Sequence, residues 1–190
     1  MSTGARIAVV LFGLLAGCGS GATKTDATPE RSPPACSGEL SQGAAELQRA
    51  YPSFQRHVEE GPLYQALVQR LGPPRGCQRA VQDGGLRLAY RFSKSGALVA
   101  QVDPRIEFSE QSVRLPGLDE AEAKSLLQAA EANTFGTTGC GIAWDQPVTE
   151  QRRGSSASRE IVYRGDACNC QARIGYDGAK VVGLALRSAC

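Results

Sequence analysis

Alternation of apolar and polar residues constrains the fold of this 190-residue chain more than any other feature of its sequence. In the clearest run, every second residue is apolar: Leu86, Leu88, Tyr90 and Phe92. The alternation resumes after a turn that contains glycine, at Leu98, Ala100 and Val102. Successive side chains of a β-strand point to opposite faces, so this pattern predicts strands with one buried face and one polar face.

A β-hairpin is expected between these two runs. A three-residue loop with Gly96 in its left-handed position would pair Phe92 with Leu98 and Tyr90 with Ala100. That register places both apolar sets on one face of the sheet. The same reasoning predicts an edge or bent strand between Pro104 and Pro116. Further strands are expected at residues 142–144, 160–163, 168–174 and 182–186, the last two joined by a three-residue loop with a left-handed Gly178.

Three other segments have helical periodicity. The first, residues 40–51, is expected to end at Pro52, because proline breaks the interior of a helix. The second should begin at Pro62 and stop at Gly72. The third should follow Asp119, whose side chain can cap it, with Glu122 completing a capping box. Helices beside alternating strands predict an α+β fold, with helices packed on a twisted antiparallel sheet.

Residues 91–99 and 173–181 resemble each other, since both begin with arginine, carry Gly-Ala at the sixth and seventh positions and end with valine. Two tandem helix-plus-sheet units would explain this internal similarity. Coincidence is the alternative, because the two segments lie at different distances from the preceding helix.

The N-terminus has one basic residue, Arg6, before a short apolar run that ends at Leu15. The run is about half of the roughly 20 apolar residues needed to span a bilayer, so it predicts a signal peptide. Its end, Leu15-Ala16-Gly17-Cys18, resembles the lipobox of bacterial lipoproteins. The resemblance implies that acyl chains on Cys18 anchor the protein in a membrane, and Gly19 favours the outer membrane. A secretory signal followed by a chance cysteine is the alternative.

The stretch after the lipobox has the composition of a linker. Residues 19–35 contain no Val, Ile, Leu or aromatic residue, and such a segment cannot bury enough apolar surface to fold. The predicted organisation is therefore a lipoprotein signal peptide at 1–17, the lipidated cysteine and a flexible tether at 18–35, and a single α+β domain at 36–190. That domain is expected in the periplasm or at the cell surface.

Seven cysteines are present. If Cys18 carries lipid, six remain, and an even number in an exported chain predicts a framework of disulfides. The six candidates are Cys36, Cys77, Cys140, Cys168, Cys170 and Cys190. We expect Cys36 to pair with Cys77, and Cys140 and Cys190 to pair with the two cysteines of the Cys-Asn-Cys motif in an order that the sequence leaves open.

That motif, Cys168-Asn169-Cys170, is the main candidate for chemistry. In a strand its two thiols would lie on one face, as in a redox or metal-binding pair. A zinc site needs four ligands, however, and the single histidine, His57, is expected in a polar surface turn. The sequence therefore predicts no catalytic residue, no metal and no cofactor. A periplasmic thiol-redox or hydrolytic enzyme is the alternative.

The segment Leu71-Gly72-Pro73-Pro74, followed by Tyr90-Arg91-Phe92 and the turn at Gly96, resembles the helix–LGxP–strand pattern of the SmpA/OmlA lipoproteins. The β-lactamase-inhibitor proteins share that general architecture in tandem. The resemblance covers a short part of the chain and implies a binding module rather than an enzyme. With 21 basic and 19 acidic residues and no basic block, nucleic acid is not expected as a partner. We expect a non-catalytic binding or scaffolding lipoprotein whose partner is another envelope protein.

Overall fold

A computed structural model describes residues 35–38, 45–82, 84–93, 95–103, 105–134, 140–151, 158–166 and 169–189. The described helices are α1 (Ala45–Glu60), α2 (Pro62–Leu71) and α3 (Glu120–Glu131). The strands are β1 (Gly76–Gln82), β2 (Gly85–Arg91), β3 (Ala97–Asp103), β4 (Phe108–Arg114), β5 (Val148–Gln151), β6 (Ser158–Arg164), β7 (Gln171–Asp177) and β8 (Lys180–Ala189). The lipobox and the tether lie outside the described residues.

The strands form one eight-stranded antiparallel sheet in the order β1-β2-β3-β4-β8-β7-β6-β5. Strands β1 to β4 are each next to their neighbours in sequence, and so are β5 to β8. The pairing of β4 with β8 joins these two groups of four. The prediction of helices combined with an antiparallel sheet is confirmed.

Helix α1 contradicts the expectation that the first helix ends at Pro52. It continues to Glu60, with Pro52 in its interior. An interior proline removes one backbone hydrogen bond and costs about 3 kcal/mol. Phe54 and Val58, one turn apart beyond the proline, are nearly inaccessible to solvent, and we attribute the continuation of the helix to their burial. His57 is therefore a half-buried residue of α1 and does not lie in a polar surface turn.

The other two helices follow their sequence signals. Helix α2 starts at Pro62, and the N–H of Gly72 at its end bonds to the carbonyl of Val68. At the start of α3, the side chain of Asp119 accepts a hydrogen bond from the N–H of Glu122, whose carboxylate accepts one from the N–H of Asp119. The predicted capping box is confirmed.

The register of the β2–β3 hairpin differs from the predicted one. Tyr90 lies opposite Leu98 and Leu88 opposite Ala100, a shift of two residues that leaves the same side chains on the same face. The left-handed residue of the loop is Ser95, with φ of 63°, rather than Gly96. A Cβ on Gly96 would overlap the side chain of Leu71 and crowd Phe92, so glycine is needed there for close packing.

Three further strand predictions need correction, and strands β1 and β5 were missed. Strand β1 was not predicted, because its polar residues hide the alternation. Strand β4 is not an edge, since it pairs with both β3 and β8. Residues 142–144 form only an isolated bridge, from Ile142 to Gly165. Gly178 is left-handed as predicted, with φ of 59°, but Asp177 pairs with Lys180, and a bulge leaves Val182 exposed while Val181 is buried.

The internal similarity between residues 91–99 and 173–181 does not mark equivalent hairpins. The first segment joins the second and third strands of β1–β4, whereas the second joins the third and fourth strands of β5–β8. The two segments therefore occupy different places in the two groups of strands.

One face of the sheet, here called the helix face, carries the core. Its side chains include Leu88, Tyr90, Leu98, Ile174 and Leu184, and they form one buried cluster with side chains of all three helices, among them Leu63, Leu67 and Leu127. The disulfides Cys36–Cys77 and Cys140–Cys170 join this cluster. Among the described residues, no helix has both the length and the apolar composition that crossing a bilayer requires.

Candidate binding surface

The second face of the sheet, here called the open face, carries the alternate residues of every strand. One of its cross-strand rows can be followed over all eight strands through the pairing register: Gln78, Ala89, Val99, Ser112, Ala185, Arg173, Val162 and Val148. No described helix packs on this face, because the buried residues of α2 and α3 belong to the core of the helix face. Val162 in this row is fully buried, whereas Ala89, Val99, Ser112 and Ala185 are partly exposed. The open face is therefore accessible mainly at strands β2, β3, β4 and β8.

A groove of about 1300 Å³ crosses part of the open face. It extends beyond the last pair between β4 and β8, Val113 with Leu184, where the two strands are no longer paired. The residues between 116 and 119 and the β7–β8 turn contribute to its walls. Its floor on the open face is made largely of small side chains: Ala97, Val99, Ser112, Gly175, Gly183 and Ala185.

Gly175 is the most informative residue of this floor. Its backbone is outside the left-handed region, and an added Cβ would meet its nearest atoms at an ordinary 3.7 Å. Neither conformation nor internal packing thus requires glycine at this position. A glycine inside a strand often marks a β-bulge or a place where a ligand or another backbone approaches closely. Gly175 is next to the bulge of β7 and also lies in the groove opposite Gly183.

Charged side chains of both signs line the groove: Arg114, Arg173, Lys180, Asp119, Glu160 and Asp177. Arg173 donates a hydrogen bond to Glu160 at 3.0 Å and another to Gln171 at 2.7 Å, so its guanidinium is held in place. Arg91 and Arg114 are exposed and lie on either side of Ala97 in one cross-strand row. Neither of these two arginines forms an ion pair with another described residue.

The tyrosines of the helix face are structural. The hydroxyl of Tyr90 donates to Glu59 of α1 at 3.0 Å, and burial together with the negative charge of Glu59 raises the pKa of Tyr90 well above its ordinary value. Burial and, secondarily, Glu59 raise the pKa of Tyr64 to about 12. Burial also raises the pKa of Tyr176, whose hydroxyl donates to Glu120 at 2.8 Å. These phenols stay protonated at neutral pH and tie the helices to the sheet.

The structure describes two residues of the Cys168-Asn169-Cys170 motif, Asn169 and Cys170, and neither lies in a strand. Cys170 is bonded to Cys140 and buried, and it lies just before β7 rather than within it. Asn169 has φ of 44°, a turn conformation, so the motif does not continue the strand as predicted. Cys168 and Cys190, like Cys18, lie outside the described residues. Within the described ranges, no three metal-ligating side chains come together.

Sequence reasoning missed the open face as a site. The alternation around Arg87, Ala89 and Arg91 was visible, but a polar face is the ordinary solvent side of a strand. The available signal was the low volume of the alternate residues in four different strands. That signal becomes a surface only when the pairing of β4 with β8 places these strands side by side.

Compared with protein-family models, curated proteins and solved structures, the chain gives no match.

Proposed function

We propose that this protein is a lipid-anchored, non-catalytic binding lipoprotein of the bacterial envelope, and that its open face binds another envelope protein. The observation that carries this proposal is the face of the eight-stranded sheet on which no described helix packs, with a groove of about 1300 Å³ over a floor of small residues. A floor of small residues leaves room for a segment of another protein. The cysteines of the pairs Cys36–Cys77 and Cys140–Cys170 are oxidised, and burial keeps Tyr90 protonated at neutral pH.

The sequence supports the anchor. Leu15-Ala16-Gly17-Cys18 has the form of a lipobox, and residues 19–35 have the composition of a tether. A tether of this length would span on the order of 20–25 Å on average. The outer membrane is the favoured location, with the domain in the periplasm or at the cell surface.

We also propose that the domain consists of two tandem helix-plus-sheet units. The strand order supports this idea, because β1–β4 and β5–β8 each run in sequence order and meet through their fourth strands. The units are unequal, since α1 and α2 precede the first group and α3 precedes the second. This arrangement agrees with the resemblance to SmpA/OmlA and β-lactamase-inhibitor proteins, which implies a binding module.

Site-specific photo-crosslinking in cells that produce the full chain tests the binding function. A photoreactive amino acid replaces Val99, on the open face, or Gln128, an exposed residue of α3. We expect discrete protein adducts from position 99 and none from position 128. Equal adducts from both positions, or none from position 99, would rule out the open face as the binding surface.

The anchor has its own test. With the photoreactive residue kept at position 99, Cys18→Ala should release the protein from membranes and strongly reduce the adduct, because the tether no longer holds the domain near its partner. Release without any loss of adduct would contradict an anchored binding module.

A further inference from the structure

We propose that the partner presents an acidic segment to the open face, and that Arg91 and Arg114 bind its carboxylates. This inference rests on the proposed binding function and adds the chemistry of the partner. It follows from three features of the open face: the distribution of its charges, the space around the two arginines and the dimensions of the groove.

The open face carries more basic than acidic side chains among the described residues. Each acidic residue with a described side chain on this face has a basic neighbour: Glu160 bonds to Arg173 and Asp103 to Arg105, while Glu110 lies opposite Arg187 and Asp177 opposite Lys180. Arg91 and Arg114 have no such counterpart among the described residues. The positive charge in excess therefore lies on β2 and β4: Arg114 lines the groove, and Arg91 lies beside it, across Ala97.

The two arginines have room to contact a ligand. Arg91 lies opposite Gly76 on one side and Ala97 on the other, and Ala97 in turn lies opposite Arg114. Neighbouring strands are about 4.8 Å apart, so the backbones at Arg91 and Arg114 are separated by about 10 Å. No bulky side chain stands between them. The guanidinium of Arg91 lies over Gly76, 3.6 Å from where a Cβ would be, and rotation of its side chain would bring it above Ala97, beside Arg114. Arginine–carboxylate pairs are frequently bidentate.

The size of the groove favours a protein segment over a small anion. The groove crosses strands β3, β4, β8, β7 and β6, which corresponds to about 19 Å, the length of five or six extended residues. A small anion would touch only exposed arginines, whereas a segment lying over Gly175 and Gly183 would add contacts along the floor. A membrane surface is disfavoured because the groove is recessed between residues 116–119 and the β7–β8 turn.

Selection from a library of random twelve-residue peptides displayed on phage tests this inference with the purified full chain. We expect the enriched peptides to be rich in Asp and Glu and to bind less tightly as salt is raised. The double variant R91A/R114A should weaken binding of the selected peptides at least about tenfold, because charge-assisted hydrogen bonds are lost. The matched control R49A/R56A removes two exposed arginines from α1 and should change binding less than about twofold.

Three outcomes of the binding measurements would overturn the inference. They are enrichment of peptides without acidic residues, equal loss of binding in both double variants, and arginine-dependent binding to anionic lipid vesicles in place of peptides. Adducts from position 99 that persist in R91A/R114A would also contradict it, while leaving the proposed binding function intact. The absence of adducts from position 99 in the unmodified background would instead remove the binding function itself.

Discussion

At the scale of single residues, the turns show that the role of a glycine can depend on contacts with side chains distant in the sequence. The left-handed Gly178 was predictable, because the glycine lies between two alternating runs and its conformation is local. The role of Gly96 was not, because it depends on Leu71 at the end of α2, which packs against the hairpin. The side chain of Ser93 donates to the carbonyl of Leu71 at 2.8 Å, a second contact that fixes the loop from outside.

Asp103 provides a residue-scale prediction about pH. Its buried carboxylate accepts hydrogen bonds from Arg105 at 2.8 and 2.9 Å from the side chain and at 3.1 Å from the backbone. These bonds outweigh burial and lower the pKa of Asp103 below its ordinary value. We expect Asp103→Asn to lower the free energy of unfolding by about 1 kcal/mol at pH 7, a modest effect because Arg105 is half exposed.

The sign of the pH dependence follows from the lowered pKa. The contribution of ionised Asp103 is complete above its unfolded pKa of about 3.9 and is lost as the pH falls through the lower folded pKa. Urea unfolding between pH 7 and pH 3 should show a constant difference from the unmodified protein down to about pH 4.5, and a smaller one below pH 4. The exposed Asp145→Asn serves as a control. A difference that grows on acidification would disprove this account.

At the scale of elements, local signals were reliable where capping chemistry was present and unreliable where burial dominates. Asp119 and Glu122 define the start of α3 through backbone bonds within one turn, which a sequence displays directly. Helix α1 depends instead on the burial of Phe54 and Val58 in a core whose strands come later in the sequence. Strand β1 was missed for the same reason, since its pairing with β2, not its composition, makes it a strand.

Pro52 gives the prediction that belongs to this scale. Pro52→Ala restores the N–H missing from the interior of α1 and removes the clash of the ring with the preceding turn. We expect the free energy of unfolding to rise by about 1–3 kcal/mol in urea titrations. Pro62→Ala is the matched control, because Pro62 is at the first position of α2, where its N–H has no partner in the helix. It should leave stability unchanged or slightly lower.

The opposite result would carry a different meaning for α1. If Pro52→Ala lowers stability, the packing of the proline ring matters more than the hydrogen bond, and the continuation of α1 through residue 52 needs another explanation.

At the scale of the whole molecule, the α+β class followed from the periodicities, whereas the order of the strands did not. The pairing of β4 with β8 joins residues 71 to 81 positions apart, from Val113 with Leu184 to Phe108 with Ala189, and nothing local to either segment encodes it. The candidate binding surface depends on that pairing, so it could not be predicted from the sequence either, because the pairing joins distant segments of the chain. The disulfides were easier to predict from the sequence, because the pairing of Cys36 with Cys77 was expected and is present.

The remaining cysteines give a prediction for the complete chain. With Cys36, Cys77, Cys140 and Cys170 paired, the expectation of three disulfides reduces to a bond between Cys168 and Cys190. Gln171 lies opposite Arg187, and each of these residues is three positions from one of the two cysteines. If Cys18 carries lipid, thiol titration of the unreduced full chain should find no free thiol, and peptide mapping should recover a fragment that links residues 168 and 190. Two titratable thiols would contradict it and would revive the redox interpretation.

The bond between Cys36 and Cys77 determines how mechanical force would pass through the molecule. The N–H and carbonyl of Ser37 also bond to the backbone of Cys77 and Arg79 on β1. Tension on the chain before Cys36 therefore enters the sheet at β1, and the covalent loop from Cys36 to Cys77 keeps α1 and α2 out of the loaded path. If a partner holds the open face, the load is carried by the hydrogen bonds between neighbouring strands, and the helices remain unstretched while the sheet resists the pull.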